Sequence, residues 1–437
     1  MADLTKIIDK NEQYAQFVAD EIADICTAHP SRSAGSESEV AVAERMADTL
    51  KNQCGCTDAE IHKFQVRPQA LTGWVYFAMT CFALGIISFF FIPLLGVLLH
   101  TFGVVAMVLQ YVFRYPCFDK LYLPQESANV TAFRKCSGEV QGRIIFNGHL
   151  DANWHHPINT QIGGKAHAIV IILSLVGALI SFALCLTATI VAECYAGVGS
   201  PTIYGAGLFY TGVAMVAFIP VMVVTYYAVD EKKVTDGANE LTGATLSVAL
   251  MKALEDEGVN LENIEIGVFL TGSKNAGHRG AKALCEMYKD DFYDVPTLLY
   301  TFDNIHSTKD LQVCYKDMHG FVKANELIAD LMMDAGDAVN VPLKDNKVMS
   351  SLGATDAGAF RMGKFMSVAV TGINALDETI YNTNLDTVDT LNKEAIADCF
   401  KVAVKCIEKV EEILTMEDEH EHHCDDPNCH CHHHHEE

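Results

Sequence analysis

Two kinds of hydrophobic pattern alternate along this chain, and they suit different surroundings. In the first kind, apolar and polar positions are interleaved. Asn11–Thr27 and Ser38–Asn52 carry apolar residues at helical spacing, and Ser36 or Ser38 can cap the second. Ala59–Val66 and Asn129–Phe133 alternate as half-buried strands do, and Arg143–Phe146 predicts another strand. Ile264–Leu270 and Thr297–Phe302 are unbroken apolar runs of buried-strand length, and Ser367–Thr371 predicts one more strand. Helices are expected over Thr242–Asp256, Gly280–Tyr288, Phe321–Met333 and Lys393–Leu414. Strands alternating with helices imply an α/β class, with a mixed, largely parallel sheet flanked by helices. Functional side chains are then expected just past strand ends.

The second kind of pattern has no polar face. Trp74–Phe91 and Leu94–Phe113, separated by Ile92-Pro93, hold no charged residue, and neither do Ala166–Ala192 and Tyr204–Val229. Each run can cross a hydrocarbon core of ~30 Å at ~1.5 Å per residue. They pair into two transmembrane helical hairpins, the second turning within Glu193–Thr202. The predicted organisation is a discontinuous α/β domain (1–72, 114–165 and 230–415) interrupted by hairpins at 73–113 and 166–229, with a tail at 416–437. Neither turn contains Lys or Arg, whereas Lys63, Arg67, Arg114, Lys120, Lys165, Lys232 and Lys233 flank the opposite helix ends. The bias of basic residues toward the cytoplasm therefore places the α/β domain and both termini inside. Met1–Tyr14 is polar and charged, unlike a signal peptide.

Composition changes this picture in three respects. The hydrophobic content of 50% and mean hydropathy of +0.16 in 437 residues come from the four apolar runs. A net charge of −25 with no basic stripe excludes nucleic acid as a partner. It also opposes anionic lipid surfaces, so the spans themselves must hold the chain in lipid. Fifteen cysteines, scattered and odd in number, suit reduced thiols rather than a disulfide framework.

Five short motifs carry the candidate chemistry. They are Asn147-Gly148-His149-Leu150-Asp151, Asp236-Gly237-Ala238-Asn239-Glu240-Leu241-Thr242-Gly243, Thr271-Gly272-Ser273-Lys274-Asn275-Ala276-Gly277, Phe302-Asp303-Asn304 and Tyr381-Asn382-Thr383-Asn384-Leu385-Asp386-Thr387. In order and context they resemble the metal-site motifs of the M28 family of two-zinc exopeptidases. Pro30-Ser31-Arg32-Ser33-Ala34-Gly35-Ser36 resembles that family's N-terminal stretch. The interrupting hairpins are similar to those of membrane-embedded bacterial members, which implies a bacterial plasma membrane. The resemblance implies a zinc exopeptidase-like fold, with His149 and Asp303 as ligands of a first zinc and Asp151 as the carboxylate orienting His149. Lys274 falls on the position of the catalytic glutamate. Asn239, Asn275 and Asn382 fall on the bridging carboxylate, a second-zinc glutamate and a second-zinc histidine.

These departures oppose hydrolysis. Zinc takes thiolate, imidazole or carboxylate ligands, and a neutral amide oxygen is a poor substitute. A protonated lysine has no lone pair for water's proton and repels a neighbouring cation. Two alternatives stay open. A one-residue gap would put Glu240 at the bridging place, or Lys274 could pair with Asp303 or Glu240 in place of a metal. The pocket then holds one zinc or none, and His149, Asp151 and Asp303 hydrogen-bond one another in the latter case. His278 and His306 are candidate stand-in ligands, while His155-His156 reads as a polar loop.

The tail is distinct. His420, His422, His423, Cys424, Cys429, His430, Cys431, His432, His433, His434 and His435 form a zinc-, nickel- or copper-binding set. With no apolar core, residues 416–437 are expected to be disordered. Three functions follow. The first is a membrane-anchored pseudo-peptidase that binds a peptide ligand or a membrane-protein partner. The second is an active zinc exopeptidase with a mononuclear or rebuilt site, and the third a membrane metal-handling protein. Against the third, His100 is the one ionisable exception within the spans apart from Cys and Tyr, and His167 reads as interfacial.

Overall fold

The computed structural model describes residues 4–113, 115–195, 206–347, 354–377 and 379–424. Among them the strands are β1 (Glu60–Val66), β2 (Gln125–Arg134), β3 (Gly142–His149), β4 (Trp154–His155), β5 (Asp230–Val234) and β6 (Ile264–Thr271). They continue with β7 (Thr297–Ile305), β8 (Gln312–Asp317), β9 (Val322–Lys323), β10 (Lys344–Lys347) and β11 (Met366–Gly372). Nine of them form one sheet in the order β1-β2-β6-β3-β7-β11-β8-β10, with β9 paired to β8. Its centre, β6-β3-β7-β11, is parallel, and antiparallel pairs flank it on both sides. β3, β6 and β7 are buried along their whole lengths, as their unbroken apolar runs require.

Successive residues of β3 feed opposite faces of the sheet. Ile144 and Phe146 join the larger core, beneath helices Asn11–Ala28, Thr242–Asp256 and the closing helix. Ile145 joins Phe269, Leu299 and Phe360 in the smaller core beneath Arg279–Met287 and Asp356–Met362. Helix Thr242–Asp256 lies so close to the sheet that a Cβ on Gly243 would sit 1.9 Å from the Phe302 carbonyl oxygen. One on Gly148 would sit 2.1 Å from the Ala244 nitrogen. Both motif glycines are therefore packing requirements that fix the helix over the ends of β3 and β7.

The two apolar hairpins are mounted on antiparallel ribbons. The first, Ala70–Ser88 and Pro93–Met107 with a π-helical turn at Val108–Val112, leaves after β1 and returns to β2, where Val66 pairs with Gln125. The second leaves after β4 and returns to β5, where Trp154 pairs with Val234. A ribbon brings its two free ends together, so a helical hairpin can replace its loop without disturbing the sheet. Four helices among the described residues are long and apolar enough to cross a membrane. Their outer surface exposes Phe91, Phe102, Leu179 and Tyr210, while polar groups pair inside. His100 binds the Gly96 carbonyl at 2.7 Å and Ser181 Oγ at 2.5 Å, and Ser174 binds Thr225 at 2.7 Å.

Several expected boundaries move. The helix expected over Phe321–Met333 starts at Glu326, because Asn325 Oδ1 accepts from Ile328 N as an N-cap, and it ends at Ala338. The fourth apolar run is two helices, Ala206–Met215 and Phe218–Tyr226. Pro220 has no N–H for the Val216 carbonyl, which breaks the helix there. The third helix begins already at Pro157, with a kink at Gly163. The closing helix is Lys393–Cys424, so residues 416–424 are helical where disorder was expected. Glu and Met are good helix formers and extend it. Arg114, residues 196–205 of the second hairpin turn, and the tail from 425, including Cys429, His430, Cys431, His432, His433, His434 and His435, lie outside the described residues.

Candidate functional site

Parallel strands leave their C-terminal ends at one edge, and the motif residues gather there. His149 closes β3 and Asp151 follows it, while Asp303 lies near the end of β7. Past β6, Ser273 takes a left-handed φ of 55° and starts the short 3-10 turn Lys274–Ala276. This turn aims two backbone N–H groups at Asp151, from Lys274 at 3.0 Å and Asn275 at 2.8 Å. His149 Nδ1 lies 3.0 Å from the Asp151 carbonyl oxygen and 3.2 Å from its Oδ1. Lys274 Nζ sits 3.0 Å from Asp303 Oδ2. His149 Nε2 is 3.5 Å from Asp303 Oδ1, a charge contact without a hydrogen bond, and Asn304 Nδ2 donates to that same oxygen at 2.6 Å.

All these side chains are buried, so their charges are set by one another. Burial and the Lys274 ammonium both push the His149 imidazole down, yet its contacts with Asp151 and Asp303 prevail and hold it up at about 10. Burial works against the Lys274 ammonium too, but Asp303 beside it raises its pKa above the ordinary value. Asp303 and Asp151 are held below the usual carboxylate range against burial, Asp303 chiefly by Lys274 and Asp151 chiefly by His149. Each of these carboxylates thus has its own partner, Asp303 the Lys274 ammonium and Asp151 the His149 ring.

The second motif divides its two candidates. Asn239 turns away, giving Asp386 Oδ1 its backbone N–H at 2.9 Å and its Nδ2–H at 2.7 Å, and Thr390 a bond at 2.9 Å. Glu240 faces the His149 end, accepting from Asn153 N at 2.9 Å and Asn275 Nδ2 at 3.4 Å. The inward carboxylate is thus Glu240, one residue beyond the motif's bridging position, and burial pushes its pKa up. Asp386 is pushed up to about 7, by burial and then by Glu240, against the pull of Asn239.

Other candidates are dispersed. His306 Nδ1 meets Asn239 Oδ1 at 3.2 Å, and His278 Nδ1 meets Asp356 Oδ1 at 2.9 Å. Neither histidine joins His149. The His155-His156 pair is no polar loop. His155 is in β4, both are buried, and His156 packs edge-on against His167 with ring centroids 5.6 Å apart. His167 is correspondingly buried instead of interfacial. Asn382, with a φ of 57°, accepts from His156 N through its carbonyl at 2.8 Å. Lys274, Asn275, Asn382, Tyr381, His156 and His278 line an open pocket of about 730 Å³, closed on its far side by Trp74 and Val75 of the first apolar helix. His420, His422, His423 and Cys424 fall on the last turns of the closing helix.

Sequence reasoning missed Glu39. Its carboxylate is buried and accepts from Gly35 N at 2.7 Å and Ser273 N at 2.5 Å, tying the N-terminal stretch to the Lys274 turn. Burial, then the nearby Asp151 charge, pushes it up to about 8. The signal was legible as Ser36-x-x-Glu39, the pattern of a capping box.

No sequence-family model and no curated protein matches this chain. Solved structures do. The chain is similar to the LapA aminopeptidase of Legionella pneumophila (TM-score 0.51, 11% identity, 93% of this chain and 74% of that one). It is similar to BSAP, a zinc aminopeptidase from Bacillus subtilis (TM-score 0.51, 10% identity, 91% and 95%). A third likeness is to an aminopeptidase from Aneurinibacillus sp. strain AM-1 (TM-score 0.50, 12% identity, 92% and 93%). The fold is therefore aminopeptidase-like, a mixed sheet flanked by helices.

Whether zinc fits is decided by the donor set. Among the described residues no three His, Cys, Asp or Glu side chains are grouped to hold a metal ion. Asp303 already contacts the Lys274 ammonium and the His149 ring, and His149 and Asp151 engage each other. An ion between His149 and Asp303 would meet the ammonium at close range. The residues present do not fit a two-zinc centre.

Proposed function

We propose that this chain is a membrane-anchored pseudo-peptidase, which keeps the aminopeptidase-like fold and uses its pocket for binding or assembly. The observation that carries this reading is the Lys274–Asp303 contact of 3.0 Å, with both groups buried. A general base must accept a proton from water, and an ammonium whose pKa its neighbours raise cannot do so. The four apolar helices serve as the anchor, because their exposed outer residues need lipid around them. The basic residues at the domain-side helix ends place the α/β domain in the cytoplasm of a bacterial cell. An impermeant thiol reagent should then label the partly exposed Cys136 only after the vesicles are opened.

The deciding experiment is zinc content and aminopeptidase turnover of protein lacking residues 416–437, which removes the metal-binding tail. The expected result is less than stoichiometric zinc and no release of an amino acid from aminoacyl or peptide substrates. One or two zinc ions per chain, lost to a chelator together with turnover, would sink the reading. Glu240 already faces inward, so the restoring variant combines Lys274→Glu, Asn275→Glu and Asn382→His and leaves Asn239 alone. It is expected to gain zinc.

A further inference from the structure

The polar pocket does not end at Trp74. Thr72, Trp74, Val75 and Val229 line it and also line a second space of about 630 Å³ between the apolar helices. That crevice is bounded farther in by Met79, Met107, Ile171 and Leu175, so its walls are almost wholly apolar. The two spaces thus adjoin across these four residues, amide side chains lining one and hydrocarbon the other, and together they form one candidate site.

Two imidazoles stand where the polarity changes. His156 lines the polar pocket and His167 the apolar crevice, and both are at least nine-tenths buried, at 5% and 2% exposed. The tautomer of His167 follows from its neighbours. Asn159 Nδ2 donates to the Tyr381 carbonyl at 3.1 Å, which turns Asn159 Oδ1 toward His167 Nδ1 at 2.5 Å. An amide oxygen can only accept, so Nδ1 carries the proton and Nε2 presents a lone pair. Nε2 of His167 and Nδ1 of His156 have no hydrogen-bond partner among the described residues. A buried acceptor of this kind calls for a donor. Lys274 is the one Asp, Glu, Lys or Arg side chain lining either space, and it is paired with Asp303 at 3.0 Å, so no free counter-ion faces a charged head.

We infer that this space binds a single-chain amphiphile from the surrounding lipid, its apolar chain between the helices and its uncharged, hydrogen-bond-donating head at His167 and His156. The inference rests on the proposed membrane placement of the helices but not on the loss of hydrolysis, so zinc content tests that reading separately.

The chain supplies its own reporter. Its two tryptophans, Trp74 and Trp154, both line the polar pocket, and Trp74 lines the crevice as well. The experiment uses the full chain in phosphatidylcholine nanodiscs and reads tryptophan quenching by a bromine-bearing acyl chain. The probes are the glycerol monoester of 11-bromoundecanoic acid, its methyl ester without a donor, and the free acid. The expected result is saturable quenching by the glycerol ester at concentrations where the methyl ester gives only linear quenching. His167→Phe should weaken the glycerol ester at least tenfold and leave the methyl ester unchanged. Leu175→Trp, which fills the crevice without touching a polar group, should abolish saturation by displacing unlabelled glycerol ester, read by competition with a radiolabelled one. Equal, linear quenching by all three probes would overturn the inference, as simple partition into lipid. Saturation by the free acid alone would overturn the uncharged head, and undiminished binding in both variants would overturn the site.

Discussion

Lys274 lines one of two adjoining pockets and His167 the other, and both are nearly inaccessible to solvent, yet Lys274 has a counter-ion and His167 has none. Around Lys274 every charge has an opposite charge within reach, and the backbone supplies further donors to Asp151. Around His167 the groups are uncharged, and an acceptor atom is left over. The charged cluster leaves His149 Nε2 beside the Asp303 carboxylate without a hydrogen bond, whereas His167 leaves a neutral ring with a spare lone pair. On the reading proposed above, loss of catalytic ligands need not empty a site of purpose, because recognition moves toward the apolar helices.

The sharpest way to break this comparison is to remove one member of the charged cluster. Lys274→Met should destabilise the protein by about 3–5 kcal/mol, since it leaves the buried Asp303 without its ammonium. Chemical denaturation in detergent measures this. Adding Asp303→Asn should recover much of the loss, because the uncompensated charge goes with it. If Lys274→Met costs nothing, the cluster is not self-compensating and the contrast fails.

Next in size is Asn239→Asp, which installs an acid at the motif's bridging position. In this structure the Asn239 amide gives hydrogens to Asp386 and Thr390, and a carboxylate would replace donors with repulsion. A loss of about 1–3 kcal/mol is expected, with or without added zinc. Stabilisation that depends on zinc would show that Asn239, and not Glu240, faces the metal position.

A third test addresses the neutral side of the comparison. Burial lowers the His156 pKa from 6.5 to about 3, with His167 and His155 adding to it. Between those limits the unfolded chain takes up a proton that the folded chain refuses. Stability therefore falls as pH drops below 6.5, reaching about 1 kcal/mol near pH 6. His156→Phe removes this term, so the wild type should lose more stability than the variant over that window. Equal losses would mean that His156 carries a charge in the folded protein.

How much of this was legible beforehand depends on the range of the interaction. The strands that seat His149, Lys274 and Asp303 are short apolar runs, and periodicity alone located β3, β6, β7 and β11. The pairing of Lys274 with Asp303 was open to anticipation, since a cation placed among acids must find one of them. What stayed hidden was set by distant packing. Asn239 and Glu240 are adjacent in sequence, and only the approach of Asp386 decides which one turns inward. The His155-His156 pair reads as polar because two histidines usually seek water. Its burial comes from the second hairpin, which packs His167 against His156 beyond a kink at Gly163, where the Gly163-Gly164 pair is the local signal. The helix start at Glu326 has a smaller cause, the Asn325 cap, which overrides the apolar pattern that begins at Phe321.

The smallest expected effect separates the fold from the tail. Among the residues whose burial is described, the closing helix is last buried at Val410 and Glu411, so deleting residues 416–437 removes no described core residue. Thermal unfolding should change by less than about 0.5 kcal/mol. Zinc, nickel or copper bound by the whole protein should vanish with the deletion, because the only dense histidine and cysteine cluster in the sequence lies there. Metal that persists at one ion per chain after the deletion would have to sit among groups already paired with one another. It could do so only by displacing the Lys274 ammonium from Asp303, and the charged side of the comparison would then have to be redrawn.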